Sequence, residues 1–175
     1  LAAGLGERDI DWAESAGLAR MPLQLRPVYG DILRLRVTDH LQPLLTRVVR
    51  GFVEDRPIYL IPRSDGTLAV GAITREDSLT SAQAGGVYTL LRDAIRLLPA
   101  IEECEFLEAS AGARPGTPDD LPYLGRVGAK LVVSTGYFRH GILLAAMAAR
   151  CGADLVELTP PPISLEACNP LRHAR

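Results

Sequence analysis

The feature that most constrains this chain is a pair of apolar runs facing each other across an Asp-Gly turn. Pro57-Ile58-Tyr59-Leu60-Ile61-Pro62 and Leu68-Ala69-Val70-Gly71-Ala72-Ile73 are separated by Arg63-Ser64-Asp65-Gly66-Thr67. Asp-Gly supplies the positive-φ turn that folds one strand back on the other, and prolines at both ends of the first run suit strand ends. Upstream, Leu33-Arg34-Leu35-Arg36-Val37 alternates apolar and basic residues at the period of a half-buried strand. Val48 to Val53 is a further β-branched run. Residues 29 to 74 are therefore predicted to form an antiparallel sheet.

The period then changes from 2 to 3.6. Val87, Leu90, Leu91, Ala94, Ile95 and Leu98 fall on one helical face and Pro99 closes the run. Such a stripe needs a sheet to cover, and the preceding strands are the candidate. Phe106 to Ala111 re-enters extended structure. Lys130 to Thr135 reads as a short apolar strand, Gly136-Tyr137-Phe138-Arg139-His140-Gly141 as a glycine-bracketed turn, and Ile142 to Arg150 as a helix capped at Gly152. Strand, glycine turn and helix in that order bring backbone N–H groups up to a cofactor. Asp11 to Ala19 is weakly helical around Trp12, Leu23 to Pro27 is extended, and the tail after Thr159 ends in a mixed basic segment. The architecture expected is a sheet-plus-helix module, residues 28–107, inserted between two pieces of another domain, residues 1–27 and 108–175.

Composition removes several function classes. With 47% hydrophobic residues over 175 positions, the chain is apolar enough for an ordinary core. A net charge of -2 with scattered arginines offers no basic stripe, so nucleic acid is not an expected partner. No apolar run approaches the roughly 20 residues that span a bilayer. Cys104, Cys151 and Cys168 lack any paired spacing, as do His40, His140 and His173. The reading is reduced cytoplasmic thiols and no metal site. The opening Leu1-Ala2-Ala3-Gly4-Leu5-Gly6 reads as the end of a buried strand entering a glycine turn. Domains seldom start there, so a further segment is expected upstream.

The run from Gly112 to Gly125, Gly-Ala-Arg-Pro-Gly-Thr-Pro-Asp-Asp-Leu-Pro-Tyr-Leu-Gly, is dense in turn formers around Arg114. A guanidinium held among them has a planar fork suited to a carboxylate. Taken alone, a loop arginine paired with a surface acid is the better reading. The run resembles the Gly-x-Arg-Pro-x-Thr-Pro-Asp segment of the glycine, sarcosine and D-amino-acid oxidases. It is followed at the family's usual distance by Gly136 to Ala145. The Tyr59 to Arg63 and Val70 to Ala72 hairpin, Arg26-Pro27-x-x-Gly30 and the Ala-Ala-Gly opening match in order. These segments cover nearly the whole chain, which resembles the C-terminal part of an FAD-dependent glycine oxidase of the D-amino-acid oxidase family.

That resemblance implies an α/β plus α+β fold, a partial Rossmann-like FAD domain carrying an inserted antiparallel-sheet substrate domain. It implies oxidation of glycine or a small amine by O2, giving an imine, then glyoxylate and ammonia, with H2O2, in thiamine biosynthesis. Arg114 would hold the substrate carboxylate, Tyr59 would reach it from the sheet, Thr74 would line the side-chain pocket and Arg139 would stand near the flavin. Ala3, Gly4 and the run Tyr137, Phe138, Arg139, His140, Gly141, Ile142 and Leu143 would contact FAD. Departures are Tyr137 for the usual His, His140 for Asn and Ala146 for Pro, positions where backbone contacts tolerate change.

Several alternatives stay open. Tyr59 is equally read as a half-buried strand tyrosine, and Arg139 as a surface residue paired with Asp119 or Asp120. The substrate could be sarcosine or a D-amino acid. The family's Gly-x-Gly-x-x-Gly, absent from these 175 residues, lies before the Ala-Ala-Gly strand. Hence a homo-oligomer, a missing N-terminal half, or a non-catalytic fragment needing a partner half are further readings.

Overall fold

A computed structural model describes residues 23–77 and 79–173. The weak helix around Trp12 and the cofactor contacts expected of Ala3 and Gly4 lie outside the described residues. The rest divides into two compact units, residues 29–113 and residues 23–28 with 114–173.

The first unit is a five-stranded sheet with one helix. Its strands are β1 (Arg26–Arg36), β2 (Val49–Val53), β3 (Arg56–Pro62), β4 (Thr67–Gly71) and β5 (Glu105–Gly116), in the order β2-β3-β4-β1-β5. Two of them, β1 and β5, begin or end in the other unit's residues. The predicted alternation is realised: Leu33, Leu35 and Val37 are buried while Arg34 and Arg36 face outward to Glu108 and Glu105 at 3.3 and 2.9 Å. Antiparallel register sets Leu33 and Leu60 both opposite Val70, and all three are fully buried. Each such side chain contributes roughly 1.5–3 kcal/mol by leaving water. Gly66, at φ 77, makes the turn expected of Asp65-Gly66, and Asp65 accepts hydrogen bonds from the Thr67 amide and hydroxyl at 3.0 and 2.6 Å.

Helix α1 (Ala84–Leu97) packs on β2, β3 and β4 and buries Leu90 and Ala94. Its buried Asp93 is gripped by Arg56 of β3, Nε to Oδ2 at 2.9 Å and Nη2 to Oδ1 at 3.2 Å. Between β2 and β3 the chain reverses through Glu54 and Asp55, both at positive φ, as a two-residue hairpin requires. This turn carries no Asn-Gly signature. Glu54 is instead held by Arg56 at 2.7 Å and by Arg96 of α1, whose hydrogen bonds lower its carboxyl to about 2.

In the second unit, β6 (Tyr123–Arg126) pairs antiparallel with β7 (Val132–Thr135) and helix α2 (Gly141–Val156) packs on both. Tyr123, Val127 and Val133 form its buried centre with Leu23, Leu25 and Leu131 against them. The C-terminal segment is pinned to this unit: Arg172 clasps Asp119 with two bonds of 2.9 and 2.8 Å and lies 4.2 Å over the Tyr123 ring, while His173 Nδ1 meets the Tyr123 hydroxyl at 2.7 Å.

Two expectations are corrected. Gly112 to Gly116 is not a turn but the end of β5, so Arg114 projects from a strand. The local turn formers yield to pairing in the sheet. Nor does Gly152 cap α2, which runs through it to Val156. An interior glycine costs only about 1 kcal/mol, and termination falls instead at Leu158, φ 61. There the Thr159 amide returns to the Asp154 carbonyl at 2.9 Å and the Glu157 amide to Ala153 at 2.9 Å, the αL closure usually given to glycine.

Candidate active site

Arg114 stands near the end of β5, and the residue after it is fixed to the glycine turn. The Phe138 amide donates to the Pro115 carbonyl at 3.0 Å. Thr117, fully buried, is the second brace: its hydroxyl donates to the Leu121 carbonyl at 2.7 Å and its own carbonyl accepts from Arg26 Nε at 3.1 Å. Arg26 also bonds Asp120. Thus the strand end carrying Arg114 and the turn from Gly136 to Gly141 are held together by backbone and buried polar contacts. These two predicted site elements are brought together within one unit.

The guanidinium itself is not consumed by this frame. Arg114 Nη1 is a buried nitrogen with no hydrogen-bond partner, one of two such side-chain atoms among the described residues, the other being Thr38 Oγ1. A buried N–H left unpaired costs about 1–3 kcal/mol, and a planar donor fork with an unmet arm has the geometry to take a carboxylate.

The turn enters through Gly136 at φ 77 and passes Phe138 at φ 48, with the His140 amide closing on the Tyr137 carbonyl at 2.8 Å. The Tyr137 hydroxyl lies 2.7 Å from Ser134 Oγ, and burial pushes its phenol up from the ordinary range. Arg26 and Arg139 both stack on Phe138, their guanidinium carbons 5.9 and 5.2 Å from the ring centroid. Asp119 and Asp120, weighed as partners for Arg139, are engaged by Arg172 and Arg26. Helix α2 then starts without a side-chain cap and without an acid in its first turn. Its leading N–H groups and positive dipole end are available to an electron-rich group. Ile142 and Leu143 in that turn are 96% and 78% exposed, and His140 and Gly141 are exposed with them.

Tyr59 and Thr74 belong to the sheet unit. Tyr59 sits half-buried in β3, directly opposite Arg50 of β2 and Gly71 of β4. Thr74 follows β4 and is exposed. Next to it is a feature the sequence reading passed over. Arg75 bonds the fully buried Asp31 through Nε and Nη2 at 3.2 and 3.1 Å, the Leu79 and Ser81 carbonyls at 2.6 and 2.7 Å, and Asp77. One side chain thereby fixes the course of the chain just after Thr74. Arg26, Thr117 and Arg172 were likewise not singled out for the bracing they provide. The adjacent acids Asp119-Asp120 were the available signal for the last.

Among the described residues there is no cluster of three or more metal-ligating side chains, and no helix is long and apolar enough to cross a membrane. A family model described as FAD dependent oxidoreductase matches residues 1–155. The bifunctional protein ThiO/ThiG of Nostoc sp. is 40% identical over 139 residues, covering 78% of this chain and 21% of the relative. Glycine oxidase of Geobacillus kaustophilus is 36% identical over 167 residues, covering 93% of this chain and 42% of the relative. A crystal structure of glycine oxidase from the same species matches with a TM-score of 0.75 and 34% identity, over 95% of this chain and 44% of that one. The α+β fold with antiparallel strand pairs is therefore glycine-oxidase-like, and the chain spans less than half the length of these relatives.

Proposed function

The chain belongs to the family of FAD dependent oxidoreductases, and from that premise we propose that it carries the substrate-facing part of a flavoenzyme oxidising glycine or another small amino acid with O2, in service of thiamine biosynthesis. The observation that carries this reading is the buried, unpartnered Arg114 Nη1 beside a braced glycine turn. The names of the relatives, glycine oxidase and ThiO/ThiG, support the substrate and the pathway.

The residues present fit the redox end of FAD: an uncapped helix N-terminus, exposed Ile142 and Leu143 for an apolar ring, and an unmet guanidinium nitrogen for a substrate carboxylate. FAD, when bound, would supply the two-electron acceptor for amine oxidation and its reoxidation by O2, for the overall conversion of glycine, O2 and water to glyoxylate, ammonia and H2O2. Within this chain, Arg114 orients the carboxylate and Tyr59 hydrogen-bonds to it. Arg139 adds positive charge near the reacting end, and Thr74 limits the side-chain pocket. Within the stretch from Tyr137 to Leu143, the leading N–H groups of α2 would favour negative charge on a bound ring, while the Phe138 and His140 amides hold the turn itself. Position supplies the catalysis, so no side-chain base at Cα is needed. In this reading residues 1–27, with Ala3 and Gly4, and 108–175 belong to the FAD-binding portion, and residues 28–107 to the substrate portion. The Gly-x-Gly-x-x-Gly motif that would hold the adenine and pyrophosphate is not among these 175 residues.

The test is peroxide formation by the full-length gene product with glycine, sarcosine and D-alanine. Turnover of glycine is expected, and its absence refutes the reading. Arg114→Ala is expected to lower kcat/KM by roughly 10- to 150-fold for each charge-assisted bond lost, with the flavin absorbance unchanged.

A further inference from the structure

The row of residues across β2, β3 and β4 points to a positioning residue for the Tyr59 phenol. Arg50, Tyr59 and Gly71 are direct cross-strand partners, so their side-chain positions share one face of the sheet. A Cβ built on Gly71 would meet the Tyr59 hydroxyl and would lie 2.5 Å from Cζ and 2.7 Å from Cε2. The phenol therefore rests directly on the Gly71 backbone. Gly71 is buried, and its φ lies outside the left-handed range, unlike those of Gly66 and Gly136. No left-handed φ bars a side chain here, and the obstacle to one is the tyrosine ring.

We propose that Gly71 is the positioning residue that sets where the Tyr59 hydroxyl stands toward the substrate carboxylate, with the Arg50 guanidinium, 5.8 Å from the Tyr59 ring centroid, as a weaker second contact. The proposal rests on the reading of Tyr59 given above. A methyl at residue 71 forces the ring from 2.5 Å out to the 3.5–4.0 Å of ordinary carbon contact. That is a displacement of about 1 Å, and a shift of that size costs up to about 100-fold in a positioned reaction. Strand β4 is buried along its whole length, whereas Tyr59 is half-buried, so the phenol is the group that moves.

The experiment is a two-residue cycle in the full-length flavoprotein, using Gly71→Ala, Tyr59→Ala and the double variant, read by KM and kcat for glycine and by the thermal midpoint. Gly71→Ala is expected to raise KM for glycine 10- to 100-fold, and to have no effect on KM once Tyr59 is alanine. Any loss in thermal midpoint from Gly71→Ala is also expected to vanish in the Tyr59→Ala background, so the contact is tested even if the single variant folds poorly. Gly85→Ala, whose added Cβ meets nothing within 4 Å, is the neutral control. If Tyr59→Ala leaves KM unchanged, the assigned role of Tyr59 fails. If Tyr59→Ala raises KM but Gly71→Ala does not, or Gly71→Ala is equally damaging in both backgrounds, the positioning role of Gly71 is overturned while that of Tyr59 stands. Arg50→Ala is expected to change KM less than Gly71→Ala, and a larger effect reassigns the positioning to Arg50.

Discussion

Gly136→Ala probes the junction that holds the turn from Gly136 to Gly141 against the strand end bearing Arg114. Two separable penalties apply. The residue sits at φ 77, where an L side chain costs roughly 1–2 kcal/mol. Its added Cβ would lie 2.5 Å from Thr117 Cγ2, and retreat is limited by Leu25 Cδ2 at 3.5 Å and Tyr123 Cδ2 at 3.6 Å. Overpacking of this kind costs about 1–3 kcal/mol, so the total is about 2–5 kcal/mol. Thr117→Ser removes the obstructing methyl but keeps the hydroxyl that donates to the Leu121 carbonyl. Alone it should lose about 1 kcal/mol of burial. In the Gly136→Ala background it should return most of the overpacking share and none of the backbone share. Urea denaturation of the four proteins at unchanged m gives the coupling directly. A coupling below about 0.5 kcal/mol would falsify the claim that the turn and Thr117 are in hard contact, and Gly136→Ala costing less than about 1 kcal/mol would remove both terms.

Two further outcomes are expected. Asp119 is held well below the usual carboxylate range, first by its hydrogen bonds from Arg172. Its depressed value means the clasp contributes fully above the unfolded carboxyl near 3.9, and the contribution is lost as pH falls toward the folded value. The gap in urea midpoint between the native protein and Asp119→Asn should therefore shrink from pH 7 to pH 3, and a constant gap contradicts the pairing. Leu158→Gly should raise stability by up to about 1 kcal/mol, because Leu158 is 77% exposed and closes α2 at φ 61, a conformation glycine adopts without strain. A lower urea midpoint would show that the leucine side chain matters more than its backbone.

What could be read from the sequence follows how local its physical cause is. The β3–β4 hairpin was legible because Asp65-Gly66 carries its turn chemistry in two residues, and α1 because six apolar positions share one face. Glu54-Asp55 was not legible as a turn. Its positive φ values are sustained by arginines two and 42 positions away in sequence, Arg56 and Arg96. Arg114 was singled out through its motif, yet its neighbourhood was misread, since glycine and proline signal a turn locally and pairing across the sheet overrides them. The bracing by Arg26, 91 positions from Thr117, had no local signature, and that by Arg172, 53 from Asp119, was marked only by the adjacent acids Asp119-Asp120. Gly71 was legible as a strand residue, but its closeness to Tyr59 is set by β3–β4 register, which periodicity alone does not specify.

The disposition of charge around residues 112–125 favours Arg114 over its neighbours for the carboxylate contact proposed above. Three guanidiniums converge on this segment, those of Arg26, Arg114 and Arg172, against only two acids, Asp119 and Asp120. Arg172 takes Asp119 and Arg26 takes Asp120, and both also bond backbone carbonyls, Leu121 and Thr117 among them. Those two pairs shape the segment and are spent in doing so. The third guanidinium keeps a buried N–H unmatched, a cost of about 1–3 kcal/mol that the fold carries because the strand end cannot relax: Phe138 holds Pro115, and Gly136 abuts Thr117. A carboxylate arriving at Arg114 meets a donor already desolvated and already oriented, so little further ordering is needed to bind it. The same rigidity makes the site demanding about geometry, since a carboxylate displaced by about 1 Å finds no compliant partner. In the function proposed above, any α-amino acid, whose carboxylate and Cα–H are separated by one bond, is a ligand for which fixing the first fixes the second.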